Sequence, residues 1–151
     1  MAKRGRSHRR ARQRGLPRVR DIDDAVRVVK QLVCDQHFQG QLIVGLDSSQ
    51  HVAGAVFNCP CDGCGDEMLT DPDELIDLVD AMQADELFLV TFVEPERLVP
   101  TAADVARFEG LRVECLDEGV LLLDHLLFTG HRWRSIGQVS LSGDPDASTM
   151  W

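Results

Sequence analysis

Glu86-Leu87-Phe88-Leu89-Val90-Thr91-Phe92-Val93 has strand length and is dense in β-branched and aromatic side chains. That composition predicts the central strand of a sheet. On its upstream side, Asp71-Pro72-Asp73-Glu74 reads as an N-cap, a proline at the first helical position and a reciprocal acid at the third. Leu75, Ile76, Leu78, Val79 and Met82 then follow at helical spacing, predicting a helix of about three turns. On its downstream side, after a Glu94 to Pro100 loop, Thr101-Ala102-Ala103-Asp104 opens another helix that runs through Val105, Phe108 and Leu111.

Farther out the same rules apply. Val120 to Phe128 is a second buried strand, interrupted by the polar pair Asp124-His125, and Trp133 to Ile136 predicts a short last strand. Toward the N-terminus, Gln41 to Leu46 and Val52 to Phe57 flank the turn cluster Asp47-Ser48-Ser49-Gln50, which predicts a hairpin. Ile22, Ala25, Val26, Val29, Leu32 and Val33 fall on one helical face within Ile22 to His37, and Asp21, Asp23 and Asp24 occupy its first turn. The order is helix, strand, strand, helix, strand, helix, strand, strand. It predicts an α+β, α/β-like layered fold with helices packed on one mixed sheet.

The 151 residues suit one globular domain, and 44% hydrophobic content supplies a core without disulfides or metal. The net charge of -9 is divided unevenly: residues 1–20 hold nine Lys and Arg and no acid, leaving a body from Asp21 onward near -18. A stretch bearing Arg4, Arg6, Arg9, Arg10, Arg12 and Arg14 repels itself and buries nothing, so residues 1–20 are expected to be a solvated basic arm. Two roles are open to it: a grip on nucleic-acid phosphates, or a solubilising tail resting on its own acidic body. Residues 21–140 are expected to form the domain and 141–151 a frayed tail. No apolar stretch is long enough to span a bilayer or follow the basic N-terminus as a signal, so the expectation is a cytoplasmic protein with no membrane contact.

Leu121-Leu122-Leu123-Asp124-His125-Leu126-Leu127-Phe128-Thr129-Gly130, with Ser135 beyond, resembles the closing signature of RadC-type JAB domains. Pro100-Thr101-Ala102-Ala103-Asp104 falls where that family has Pro-Ser-x-x-Asp, and the spacing between the two signatures agrees. The resemblance covers about residues 38 to 137 and implies the JAB/MPN, cytidine-deaminase-like, architecture. Active members hold zinc with a His-x-His pair and the Asp of the Ser-x-x-Asp motif, leaving a fourth position for an activated water. Counting back from Asp104 puts Thr91 and Val93 where the two histidines stand, and the family's general-base glutamate falls near Gln39 or Gln41. An amide cannot take up a proton at neutral pH. The resemblance therefore implies a protein with no catalytic metal, in which Thr101, Asp104, Asp124 and His125 are vestigial. Its context would be DNA repair or nucleic-acid handling, and its partner nucleic acid or a protein seated in the groove that such domains offer to peptides.

Each surviving residue has a structural reading beside the chemical one. Thr101 and Asp104 make a capping pair, and Asp124-His125 reads as a hydrogen-bonded pair fixing a sheet edge. The rival is a metal-dependent hydrolase with an altered site of Asp104, Asp124, His125 and His131.

Cys59-Pro60-Cys61-Asp62-Gly63-Cys64-Gly65 has no counterpart in the family pattern. Five cysteines, an odd number with three crowded here, do not make a disulfide framework. Three thiolates in a Gly- and Pro-bearing loop suit a structural zinc whose fourth ligand would be His51, Cys34 or Cys115. The alternatives are an exposed reduced loop or a redox-active cluster.

Overall fold

In a computed structural model of the chain, residues 17–33, 40–58 and 71–142 are described. Their elements are α1 (Ile22–Val33), β1 (Gly40–Leu46), β2 (Val52–Asn58), α2 (Pro72–Met82), β3 (Glu86–Phe92), a 3-10 turn (Pro95–Arg97), α3 (Ala102–Asp117), β4 (Leu121–Thr129), β5 (Arg132–Ser135) and α4 (Ile136–Ser142). The α+β layered architecture expected from the order of elements is present, with one addition. The sequence gives no sign of α4.

The strands form one five-stranded mixed sheet in the order β2-β1-β3-β4-β5, with β3 in the centre. β1 and β2 make the expected hairpin, β1 lies antiparallel to β3, and β5 folds back antiparallel on β4. Only β3 and β4 are parallel. A parallel pair needs a crossover, and α3 supplies it.

Helices cover both faces, so successive strand residues enter different cores. Leu42, Val44, Leu46, Phe88, Val90 and Leu126 pack against α1 through Ile22, Val26 and Val29. Ile43, Leu87, Leu89 and Leu127 pack on the opposite side against Leu75 and Val79 of α2 and Phe108, Leu111 and Cys115 of α3. This double burial explains why β1, β3 and β4 read as nearly continuous apolar runs.

The helix ends follow local chemistry with one difference. The Asp71 side chain caps α2 by accepting from the amide of Asp73, two residues on, rather than forming the reciprocal box with Glu74. Thr101 and Asp104 do form the reciprocal box on α3, at 2.8 and 3.1 Å. Pro17, Arg18 and Val19, which charge alone assigns to the basic arm, run antiparallel to Gln50, His51 and Val52. The Val19 side chain is buried in the core under α1.

Gly45 and Gly54 sit opposite each other on β1 and β2. A Cβ on Gly45 would lie 2.9 Å from Ala84 Cβ, and one on Gly54 would lie 2.8 Å from Met82 Cγ. The missing side chains admit the end of α2 to the sheet. Gly45→Ala is expected to lower unfolding free energy by about 1–3 kcal/mol, because neither the backbone nor Ala84 has a rotamer by which to yield. Urea denaturation would read the loss, and an unchanged midpoint would remove the close approach as a packing constraint.

Candidate functional site

Apart from its ends, the sheet interior is apolar, and the buried polar residues stand out against it: Gln41, Thr91, Asp124, His125 and Ser135. They fall into two groups that β4 separates.

The first group lies toward α2 and α3. Gln41 on β1 is directly opposite Thr91 on β3, and His125 on β4, opposite Leu89, is the diagonal neighbour of Thr91. Thr91 Oγ1 and His125 Nε2 are hydrogen-bonded at 2.7 Å. Burial pushes the His125 imidazole down to about 4, with the Asp104 carboxylate pulling it up and the Arg107 guanidinium pushing it further down. At neutral pH it is therefore an uncharged ring, able to donate through one nitrogen and accept through the other.

The second group closes the β4–β5–α4 junction. The Asp124 carboxylate accepts from the Ser135 hydroxyl at 2.6 Å through Oδ2, and from the amides of His125 at 2.7 Å and Gly137 at 2.9 Å through Oδ1. Ser135 Oγ in turn accepts from the amide of Gln138 at 3.1 Å. Together the two side chains satisfy amides in the first turn of α4. A Cβ at position 137 would stand 2.8 Å from Asp124 Oδ1, so glycine is required for the carboxylate to reach that amide. Burial pushes the Asp124 carboxyl up to about 6 against the lowering effect of its three hydrogen bonds.

A bulge makes the two groups possible. Leu87 faces Leu122, yet the next residue, Phe88, faces Asp124, so Leu123 is an extra residue in β4. Beyond it the alternation of the strand is inverted, which brings His125 to the side of Thr91 and Asp124 to the side of Ser135.

Two expectations need correction. Asp124 and His125 do not fix a sheet edge, because β4 is interior, between β3 and β5. Their side chains also do not bond to each other: neighbours in a strand leave on opposite sides, and each finds a distant partner. Asp104 is engaged at the start of α3, one oxygen on the Thr101 amide and the other 3.8 Å from Arg107. His131 lies exposed in the β4–β5 turn. Asp124 and His125 thus leave β4 toward different partners and His131 is exposed, while Asp104 acts on His125 only through its charge. Among the described residues, no group of three His, Cys, Asp or Glu side chains is placed to hold a metal ion.

Cys59, Cys61, Cys64 and Cys34 lie outside the described residues, as do Arg4, Arg6, Arg9, Arg10, Arg12, Arg14 and Gln39. Of the other proposed zinc ligands, Cys115 is fully buried in the core under α3, where burial raises its thiol. His51 stands beside the β1–β2 turn, with Nδ1 3.9 Å from Asp47. No helix among the described residues is long and apolar enough to cross a membrane. Compared with known proteins, the chain matches no family model and no curated protein.

Asp124 and His125, buried groups that titrate in the acid range, act oppositely on stability. Asp124 ionises less readily in the fold than in the unfolded chain, so its contribution falls as pH rises from about 4 through about 6. His125 takes up a proton less readily in the fold, so its contribution rises over about the same window, from about 4 to 6.5. Each effect is on the order of 3 kcal/mol, and the two oppose each other over the shared window. Relative to wild type, Asp124→Asn is expected to make stability climb with pH between about 4 and 6.5, and His125→Gln to make it decline. Urea unfolding across that range checks both slopes, and parallel curves for all three proteins would refute the assignment.

Proposed function

We propose that this chain is a degenerate RadC-type JAB domain that works by binding rather than catalysis and grips nucleic acid through its basic arm. The observation that carries the first half is the buried Thr91–His125 hydrogen bond. Thr91 stands where the resemblance puts the first zinc-binding histidine, and its hydroxyl is hydrogen-bonded to the His125 imidazole. Val93, at the second histidine position, packs into the apolar core beside α2 and α3. Gln41, an amide at one of the two candidate general-base positions, is buried opposite Thr91. These positions offer neither a zinc ligand nor a proton acceptor at neutral pH. The His125 imidazole is neutral at that pH and already hydrogen-bonded.

The second half rests on charge. Seven of the nine basic residues in the first 20 precede Pro17, where the described fold begins, while the body is strongly acidic. Such a distribution confines phosphate binding to the arm. A DNA-repair setting is the context that the resemblance implies, and a structural zinc on Cys59, Cys61 and Cys64 is compatible with it because it would leave no water to activate.

Two measurements test the reading. Metal content after chelation and dialysis is expected to be unaffected by Asp104→Ala and His125→Gln, with any bound zinc lost only on replacing Cys59, Cys61 or Cys64 by Ser. A zinc that leaves with Asp104 or His125 would instead mean a hydrolytic centre. Deleting residues 1–16, which spares the Pro17–Val19 pairing, should abolish most binding to a DNA or RNA oligonucleotide, and that binding should weaken steeply with added salt. Undiminished, salt-insensitive retention by the truncated chain would remove the arm from the function.

A further inference from the structure

A half-open cavity of about 150 Å³ lies between the first turn of α1 and the β3–β4 part of the sheet, on the side away from Thr91 and His125. Ile22, Ala25, Phe88, Leu123 and Leu126 make its walls apolar, and Asp124 is the buried charged group among them. Two features create the space. The bulge at Leu123 spreads the strand, and Ala25 is the smallest side chain that α1 turns toward the sheet here.

The charge in this cavity is incompletely answered. Asp124 accepts three hydrogen bonds, two of them on Oδ1, yet among the described residues no cationic side chain forms an ion pair with it. A carboxylate oxygen accepts at two lone-pair positions, so Oδ2, bonded to Ser135 alone, keeps acceptor capacity. Arg20 at the rim does not neutralise it: its guanidinium lies 3.7 Å from Asp24 and is largely solvent-exposed. The positive end of α1 is likewise occupied, since Asp21 accepts from the amide of Asp24, and Asp23 and Asp24 stand in the first turn.

An anion would meet Asp124 inside and Asp21 at the rim, where Arg20 is already drawn to Asp24. A plain hydrocarbon would fill the walls and gain nothing from the carboxylate. A cavity of this size accommodates a body of about benzene's bulk. From the cavity and its carboxylate we infer that this is a binding site for a small primary ammonium compound with a short apolar chain. The ammonium hydrogen-bonds Asp124, and the chain lies against Phe88, Leu123 and Leu126. The site is on the opposite face of the sheet from Thr91 and His125 and does not depend on the reading of that group.

The test titrates n-butylammonium chloride into the full-length protein at neutral pH, followed by amide shifts in two-dimensional NMR, with n-butanol as the uncharged counterpart. Saturable shifts at Ala25, Phe88, Leu123 and Leu126 are expected, with butanol binding at least about tenfold more weakly. Asp124→Asn should remove the preference for the cation. Because that variant disturbs the α4 cap, Ala25→Leu is the second arm: it fills the cavity, leaves the carboxylate untouched, and should weaken butylammonium binding at least about tenfold. Absence of saturable binding to wild type, equal affinity for butanol, or undiminished binding by Ala25→Leu would each overturn the site.

Discussion

Helices on both faces leave the central strands of this sheet no solvent side on which to place a polar residue. Apart from the exposed Leu121 and Leu123 at the start of β4 and the strand ends, the residues of β1, β3 and β4 enter one of two apolar cores, and every buried polar group there must find its partner inside the protein or forfeit about 1–3 kcal/mol of desolvation. Thr91, Asp124, His125 and Ser135 meet that requirement through short side-chain bonds at 2.6 and 2.7 Å. The geometry of the rest follows, because the partners come from strands and helices that are distant in sequence. Thr91 and His125 are separated by the whole of α3, and Asp124 reaches across β5 to the first turn of α4.

The elements were legible because local chemistry marks them. Asp71-Pro72 and Thr101-x-x-Asp104 announce helix starts, Asp47-Ser48-Ser49-Gln50 announces a turn, and the apolar content of Glu86 to Val93 announces the centre of the sheet. Here propensity and tertiary structure agree. α4 was illegible for the complementary reason. Its first turn, Ile136-Gly137-Gln138, contains a glycine and no local signal beyond Ser135, and its amides are satisfied by a carboxylate from β4. A helix begun by a tertiary contact leaves no mark in its own residues.

The polar cluster was half legible. That Asp124 and His125 are buried and hydrogen-bonded can be read from their place in a leucine-rich strand. Their partners cannot, since these depend on the register of a parallel pair, and that register depends on the bulge at Leu123. Leu121, Leu122 and Leu123 are identical side chains, so nothing in the run distinguishes the bulged residue from its neighbours. The same ambiguity makes Asp124-His125 look like a pair when strand geometry sends the two residues to opposite faces.

The polar residues in turn resolve the ambiguity in folding that they leave in reading. A strand of leucines between two apolar cores pairs almost equally well in several registers, because moving each side chain to the opposite core exchanges one apolar setting for another. Asp124 and His125 end that degeneracy. Shifted by one residue, the carboxylate would enter the core beneath α3 and lose the Ser135 hydroxyl and the Gly137 amide, while the imidazole would face α1 without the Thr91 hydroxyl. The penalty for orphaning both groups exceeds any difference between leucine packings, which conserve volume and usually cost under about 1.5 kcal/mol. The two most hydrophilic residues of β4 thus fix the alignment of its most hydrophobic ones, and the bulge is the local concession that lets both find their partners at once.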